Sequence, residues 1–193
     1  MLDSLARLAP PRELSLHVAH VDHGLRPGSA AEADAVAAAA AERGLPFAAL
    51  TVAVAPRGSS LQDRARAARH TALRRHAHLV GASAIALAHT ADDQAETVLM
   101  RALAGATPRA LAAMSERAGL PARPLLRVWR ADVTAYCTAL GLATLDDPSN
   151  ADPRFLRSRV RHELLPALEV VFPAARRRLC ALAERQRRLI DPD

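Results

Sequence analysis

Lysine is absent from this 193-residue chain: its 26 Lys-plus-Arg positions are all Arg. A Walker A phosphate loop requires a lysine, and so does a Schiff-base enzyme, so both classes are excluded. Aromatics are nearly as scarce, with three Phe, one Tyr and one Trp. The core must therefore be aliphatic, and base stacking on aromatic platforms is not expected. The two cysteines, Cys137 and Cys180, lie far apart and in no C-x-x-C pair. That removes zinc ribbons and dithiol redox motifs and fits a reducing compartment. No apolar run reaches the roughly 18 residues of a membrane helix, and no secretory leader is visible, so a cytoplasmic protein is expected.

What is present is arginine, and it is unevenly placed. The net charge is +6, yet the stretch from Arg154 to Arg188 alone holds ten Arg against three Glu. The remainder is close to neutral. Such a basic tail is either a solvated helix face in an Arg-, Ala- and Pro-rich composition or the footprint of a phosphate-rich partner such as nucleic acid.

Strand and helix patterns alternate through the first half. LSLHVAHV (14–21) reads as a buried strand, followed by a turn and an Ala-rich helix from Ser29 to Gly44. LPFAALTVAV (45–54) reads as a second strand. In LQDRARAARHTALRRHAHLV (61–80), Leu61, Ala65, Ala68, Ala72 and Leu79 form one helical stripe. A third strand, Ala84–Ala88, runs into HTADDQAET (89–97), which starts a helix ending near Ala104. This alternation predicts an α/β fold, a Rossmann-like parallel sheet with helices on both faces. RADVTAYCTALG (130–141) is a further helix, LATL a short strand, and the region after Arg154 is basic and helical, broken by Pro166 and Pro173. The expected division is a nucleotide-binding α/β domain over 1–150 and a basic helical extension over 151–193.

Ligands of parallel α/β sheets bind beyond the carboxyl ends of the strands. Two polar clusters fall there, His20, Asp22 and His23 after one strand and His89, Asp92, Asp93 and Glu96 after another; they are expected to share a crevice. Thr90 and Asp93 have the spacing of a capping box, and acids in a first turn suit the helix dipole. Neither effect requires Glu96. Three carboxylates within about one turn repel one another, and a divalent cation such as Mg²⁺ is the simplest compensation. His20 and His23 are either metal ligands or hydrogen-bonded loop residues, and Arg26 is placed to clamp a phosphate or carboxylate. Arg69 borders the stripe of its helix and Arg66 stands further out; an arginine in such a place can simply extend its stem over apolar surface.

Together HVDHGLRPGS (20–29), ARAARHTAL (65–73), LAHTADDQAETVLMRALAG (87–105), RPLL (123–126) and DDPSNADPRFLRSRVRHELLP (146–166) resemble, in order and spacing, tRNA(Ile)-lysidine synthetase. That family is of the adenine-nucleotide alpha-hydrolase, or PP-loop ATPase, type. Its usual Tyr after ARxxR is His70 here. The resemblance implies ATP-dependent ligation of free L-lysine to the wobble cytidine of a minor tRNA-Ile, through an adenylated cytosine. It implies ATP and Mg²⁺, with Asp92, Asp93 and His89 in catalysis and Asp92, Asp93 and Glu96 on the metal. His20, Asp22, His23, Arg26, Arg66 and Arg69 are implied on the nucleotide, and Arg154, Arg157, Arg159 and Arg161 on tRNA. Other readings are a related PP-loop tRNA thiolase, against which the unpaired cysteines speak, and a non-catalytic RNA-binding remnant.

The family's SGGxDS phosphate loop occurs nowhere in the chain, and Leu2, Leu5 and Leu8 have the spacing of the helix that follows that loop. The expectation is a chain whose first strand and loop are missing. A backbone nest for anions cannot be replaced by distant side chains. The 193-residue polypeptide is therefore predicted to give no lysine- and tRNA-dependent AMP unless extended upstream; robust AMP formation by the purified chain would sink this.

Overall fold

A computed structural model describes residues 1–22, 29–53, 61–144 and 152–190. By packing, the chain divides into two units, Met1–Ile85 and Ala86–Asp193. The change in sequence character near 150 falls inside the second.

The first unit contains α1 (Leu2–Leu8), a 3₁₀ turn (Pro10–Arg12), β1 (Val18–Asp22), α2 (Ser29–Ala41), β2 (Phe47–Thr51) and α3 (Leu61–Leu79). β1 and β2 are parallel, in register from Val18 opposite Phe47 to Asp22 opposite Thr51. Val18 N–H to Pro46 O (2.8 Å) and Val52 N–H to Asp22 O (2.9 Å) extend the ladder at both ends. Parallel neighbours need a crossover, and α2 supplies it while packing on both strands. Gly44, at φ +63°, lets the chain turn back into β2. Asp3 on α1 is buried and accepts from Arg7 (2.8 Å) and from Arg43 at the end of α2 (3.1 Å), which ties the two helices together.

Three sequence expectations change here. Leu79 is 72% exposed instead of closing the buried stripe of α3. The last turn of α3 packs by its other side: Ala77 is buried and the His76 ring meets His17 just ahead of β1 (Nε2 to Nδ1 3.2 Å), which leaves Leu79 on the outer face. The third strand, β3, shrinks to Ile85–Ala86 and pairs with β4 (Pro121–Ala122), not with β1 or β2 among the described residues. Leu87 N–H donates to Ala122 O (2.8 Å). Pro121 has no N–H to give, which keeps the ladder short. LATL is not a strand over its described residues 142–144, and the chain between 145 and 151 lies outside the described residues.

The second unit is helical: α4 (Ala91–Leu103), α5 (Pro108–Leu111), α6 (Arg130–Ala139), α7 (Leu156–Arg159), a π-helical turn (Val160–Leu164), α8 (Leu165–Val171) and α9 (Ala175–Ile190). α4 lies against α9 and α5. Its Leu99 forms a core with Val160 and Leu165, flanked by Met100, Leu168 and Leu179. The π turn explains how residues five apart share that core. Leu165 N–H donates to Val160 O, an i→i−5 bond that widens the helix. Pro166, which follows, has no N–H for an α-type bond and its ring clashes with the preceding turn, so the ladder must re-form around it. No helix among the described residues is long and apolar enough to cross a membrane.

Leu165 is 1% exposed, so Leu165→Ala leaves a cavity at the meeting point of α4 and the π turn. The expected cost is about 2–5 kcal/mol, read as a lower urea midpoint; a midpoint within error of wild type would contradict this core assignment.

Candidate functional site

HTADDQAET runs from the end of β3 into α4. Ala91 N–H donates to Val128 O (2.9 Å), which anchors the helix start. The expected capping box forms: Thr90 N–H and Thr90 Oγ1 both donate to Asp93 Oδ2, at 2.8 and 2.9 Å. On the next turn, Gln94 clamps a loop by its amide, giving Nε2–H to Met114 O (2.8 Å) and accepting Met114 N–H on Oε1 (3.0 Å). Arg101 and Arg187 hold the same loop through Ala110 O and Ala112 O.

The acids meet arginines, not a metal-ready gap. Glu96, with its side chain 1% exposed, accepts from Arg161 Nε on Oε1 (2.6 Å) and from Arg157 Nε on Oε2 (2.7 Å). Arg161 Nη2 also reaches Glu96 Oε2 at 3.1 Å. Asp93 Oδ1 accepts from Arg157 Nη2 (3.0 Å) and Arg161 Nη2 (3.1 Å), and the Arg130 guanidinium stands 3.6 Å away. Every oxygen of Asp93 and Glu96 is thus engaged. Asp92 is held differently, its Oδ2 accepting Arg130 N–H (2.8 Å) and its Oδ1 lying 3.9 Å from Arg176 Nε.

Two of the three acids expected at Mg²⁺, Asp93 and Glu96, thus take guanidinium partners, while Asp92 does so only at 3.9 Å. Among the described residues no group of three His, Cys, Asp or Glu side chains is arranged to hold a metal ion. The repulsion inferred from the sequence is real, but guanidinium groups relieve it. Charge-assisted, forked contacts of this kind are the strong class of hydrogen bond.

The same contacts split the four tail arginines. Arg157 and Arg161 turn inward to α4. Arg154 pairs locally with Asp152 (2.6 Å) and Arg159 with Glu163 (3.3 Å), both on the surface. The Asp93–Glu96 spacing on α4 faces the Arg157–Arg161 spacing across the core. Sequence reasoning left Arg130 and Arg176 out of the site. Yet an open cleft of about 840 Å³ is bordered by Asp92, Glu96, Arg130, Arg161, His162 and Arg176, with the small residues of α6 along one side. Arg176 also pairs with Glu169. His89, just before Thr90, is half-buried.

The nucleotide-side candidates belong to the first unit. His20 lies within β1 and Asp22 ends it; Arg66 is exposed on α3 and Arg69 half-buried there. Burial, and then the Arg66 charge, pull the Arg69 guanidinium below its ordinary pKa. His23 and Arg26 lie outside the described residues. The expected crevice between the two polar clusters would span both units and is not part of either unit's own geometry.

Burial alone would raise the Asp93 pKa, but the Thr90 hydrogen bonds and the Arg157 and Arg130 charges outweigh it and hold the carboxyl below its ordinary 3.8. A depressed native pKa adds stability that is present above the unfolded value and lost as pH falls through the native one. The stability conferred by Asp93 should therefore drain away below about pH 3.8. Asp93→Asn is expected to lower stability at neutral pH and flatten that acid limb in denaturant titrations; an unchanged pH slope would count against it.

Against known proteins, residues 1–168 match the PP-loop domain family. The chain is 50% identical over 153 residues to the tRNA(Ile)-lysidine synthase of Salinispora arenicola (strain CNS-205), covering 77% of this chain and 46% of that one. It is 47% identical over 171 residues to a synthase of the same name from Thermus thermophilus, covering 86% of this chain and 33% of the relative. The chain thus spans about half the length, or less, of these curated relatives. In fold it is similar to the solved U34-tRNA thiolase NcsA from Methanococcus maripaludis with its 4Fe-4S cluster, with a TM-score of 0.75 over 95% of this chain and 68% of that one, at 19% identity. That likeness bears on fold alone. With the family match covering most of its length, this α/β chain belongs to the PP-loop domain family.

Proposed function

We propose that the chain carries the catalytic region of a tRNA(Ile)-lysidine synthase acting in the cytoplasm. The observation that carries this reading is the identity of 44–50% to relatives of that name across most of the chain. In the proposed reaction ATP adenylates the cytosine ring of the wobble position in a minor tRNA-Ile and pyrophosphate leaves. The amine of L-lysine then displaces AMP. Chemistry of this kind depends on positioning and on charges placed where charge develops.

Asp92 is the acid best suited to the lysine ammonium. Its oxygens meet one backbone N–H and a guanidinium at 3.9 Å, whereas those of Asp93 and Glu96 are wrapped in arginine. His89 is proposed beside it as the group that receives the proton the amine loses. His20, Asp22, His23, Arg26, Arg66 and Arg69 are proposed on the ATP side, and the surface residues Arg154 and Arg159 on tRNA phosphates. Arg157 and Arg161 are proposed on the same polyanion only through the parts of their side chains left exposed. Mg²⁺ is proposed as a companion of ATP, with Asp92, the least engaged of the three acids, as the one nearest to it.

A thiolase reading gains nothing from the cysteines. Burial, with the Asp92 and Glu184 charges behind it, pushes the Cys180 thiol up to about 11, away from the thiolate that sulfur chemistry needs. The test is incorporation of labelled lysine into minor tRNA-Ile by the chain joined to an upstream SGGxDS segment. Incorporation dependent on ATP and reduced at least about tenfold by Asp92→Asn is expected, since a transition-state contact to charge is worth about 1.4 kcal/mol or more. Lysine-independent ATP cleavage, or sulfur transfer instead, would overturn the assignment.

A further inference from the structure

The buried acid Glu96 has no counterpart in the reaction just proposed, and its surroundings say what it does. Its carboxylate is almost wholly enclosed, with a side-chain exposure of 1%. A lone charge in such a place costs several kcal/mol, and a carboxylate with free lone pairs would protonate instead. Here two guanidinium groups arrive from Arg157 and Arg161, each using Nε on Glu96 and Nη2 on Asp93. Each arginine is therefore held at two points by two different acids. A long, flexible side chain gripped that way keeps one rotamer.

The arginines are not sealed in along with their acids. Arg157 keeps 34% of its side chain exposed and Arg161 keeps 19%. Arg161 also lines the open cleft beside Arg130, His162 and Arg176. The arrangement differs from an ordinary structural ion pair in this respect: the negative partners are inside, and the positive partners form the outer layer. α7 and the π turn supply both guanidinium groups, and the Leu99–Val160–Leu165 core fixes that segment against α4.

We infer that Glu96, assisted by Asp93, is a positioning residue: it locks Arg157 and Arg161 into one fixed geometry, so that Arg161 at the cleft and the exposed part of Arg157 present cationic charge to a polyanion, in place of a bound metal ion. The partner class is a phosphate-bearing polyanion, because a weakly hydrated guanidinium pinned by acids along one edge still turns planar N–H donors and its charge outward to phosphate oxygens. The counter-ion role of Glu96 does not depend on the lysidine reading; the choice of tRNA as the probe does.

The two alternatives predict opposite signs. Removing a carboxylate makes the protein more positive, so simple electrostatics expects Glu96→Gln to bind RNA more tightly. Positioning expects the reverse, because the released arginines lose their fixed geometry. The experiment measures the affinity of the 193-residue chain for bulk tRNA at fixed moderate salt, together with Mn²⁺ binding by electron paramagnetic resonance. Glu96→Gln is expected to weaken tRNA binding about three- to tenfold, and the wild type and the variant are expected to show the same Mn²⁺ titration. Arg161→Lys guards against a variant that fails to fold. It keeps the charge but not the fork, and is expected to weaken tRNA binding to a similar extent, with unchanged Mn²⁺ behaviour. Tighter or unchanged tRNA binding by Glu96→Gln, or a saturable Mn²⁺ site that Glu96→Gln abolishes, would overturn the inference. A chain that binds tRNA as described while its extended form attaches no lysine would instead remove the lysidine reading and leave the role of Glu96 standing.

Discussion

One buried carboxylate organises the second unit. Glu96 sits in the fully covered part of α4, and a charge there is tolerable only because two arginines from a distant stretch of chain reach it. The segment that brings them is held by aliphatic contacts of Leu99 with Val160 and Leu165. Hydrophobic packing and ion pairing thus depend on each other. The core places the arginines, and the arginines make the polar side of the same interface affordable to bury. Removing either half exposes the weakness of the other, as is usual for a buried charge whose partner is lost.

Around this knot, α4 works as a hub with separate faces. Asp93 closes the helix start and takes the outer edges of both guanidinium groups. Gln94 grips the loop at Met114, and Cys180 donates its thiol hydrogen to Ala91 O from α9. Asp92 alone among the three acids faces the cleft without being surrounded. Three neighbouring carboxyl-bearing positions therefore have three different fates, although one-dimensional spacing makes them look equivalent.

Much of this was legible beforehand. The strand–helix alternation, the Thr90–Asp93 cap and the break at Pro173 follow from local rules, and the family emerged from the order of its motifs; Pro166, expected to break the helix as well, lies inside backbone that stays helical from the π turn into α8. Three things were not legible. The retreat of β3 to two residues depends on Pro121, far along the chain. The exposure of Leu79 depends on which side of the last turn of α3 meets the chain ahead of β1, where His76 reaches His17. The partners of Glu96 lie more than sixty residues away, so acid crowding was visible while its neutraliser was not. A cation was the simplest local answer, and a non-local one was present in the basic tail, where arginines were read as facing outward.

The π turn carries a consequence for how this segment can vary. Arg157 and Arg161, four residues apart, share a helix face by ordinary α spacing, whereas Val160 and Leu165, five apart, share the core because the i→i−5 bond takes up one extra residue between them. Deleting a single residue between Arg161 and Pro166 would let the turn close as ordinary α-helix, with Val160 and the leucine of the core four apart and still on one face. Deleting a second would rotate everything after it by about 100° and turn that leucine out of the core, so the segment can shorten by one residue but not by two.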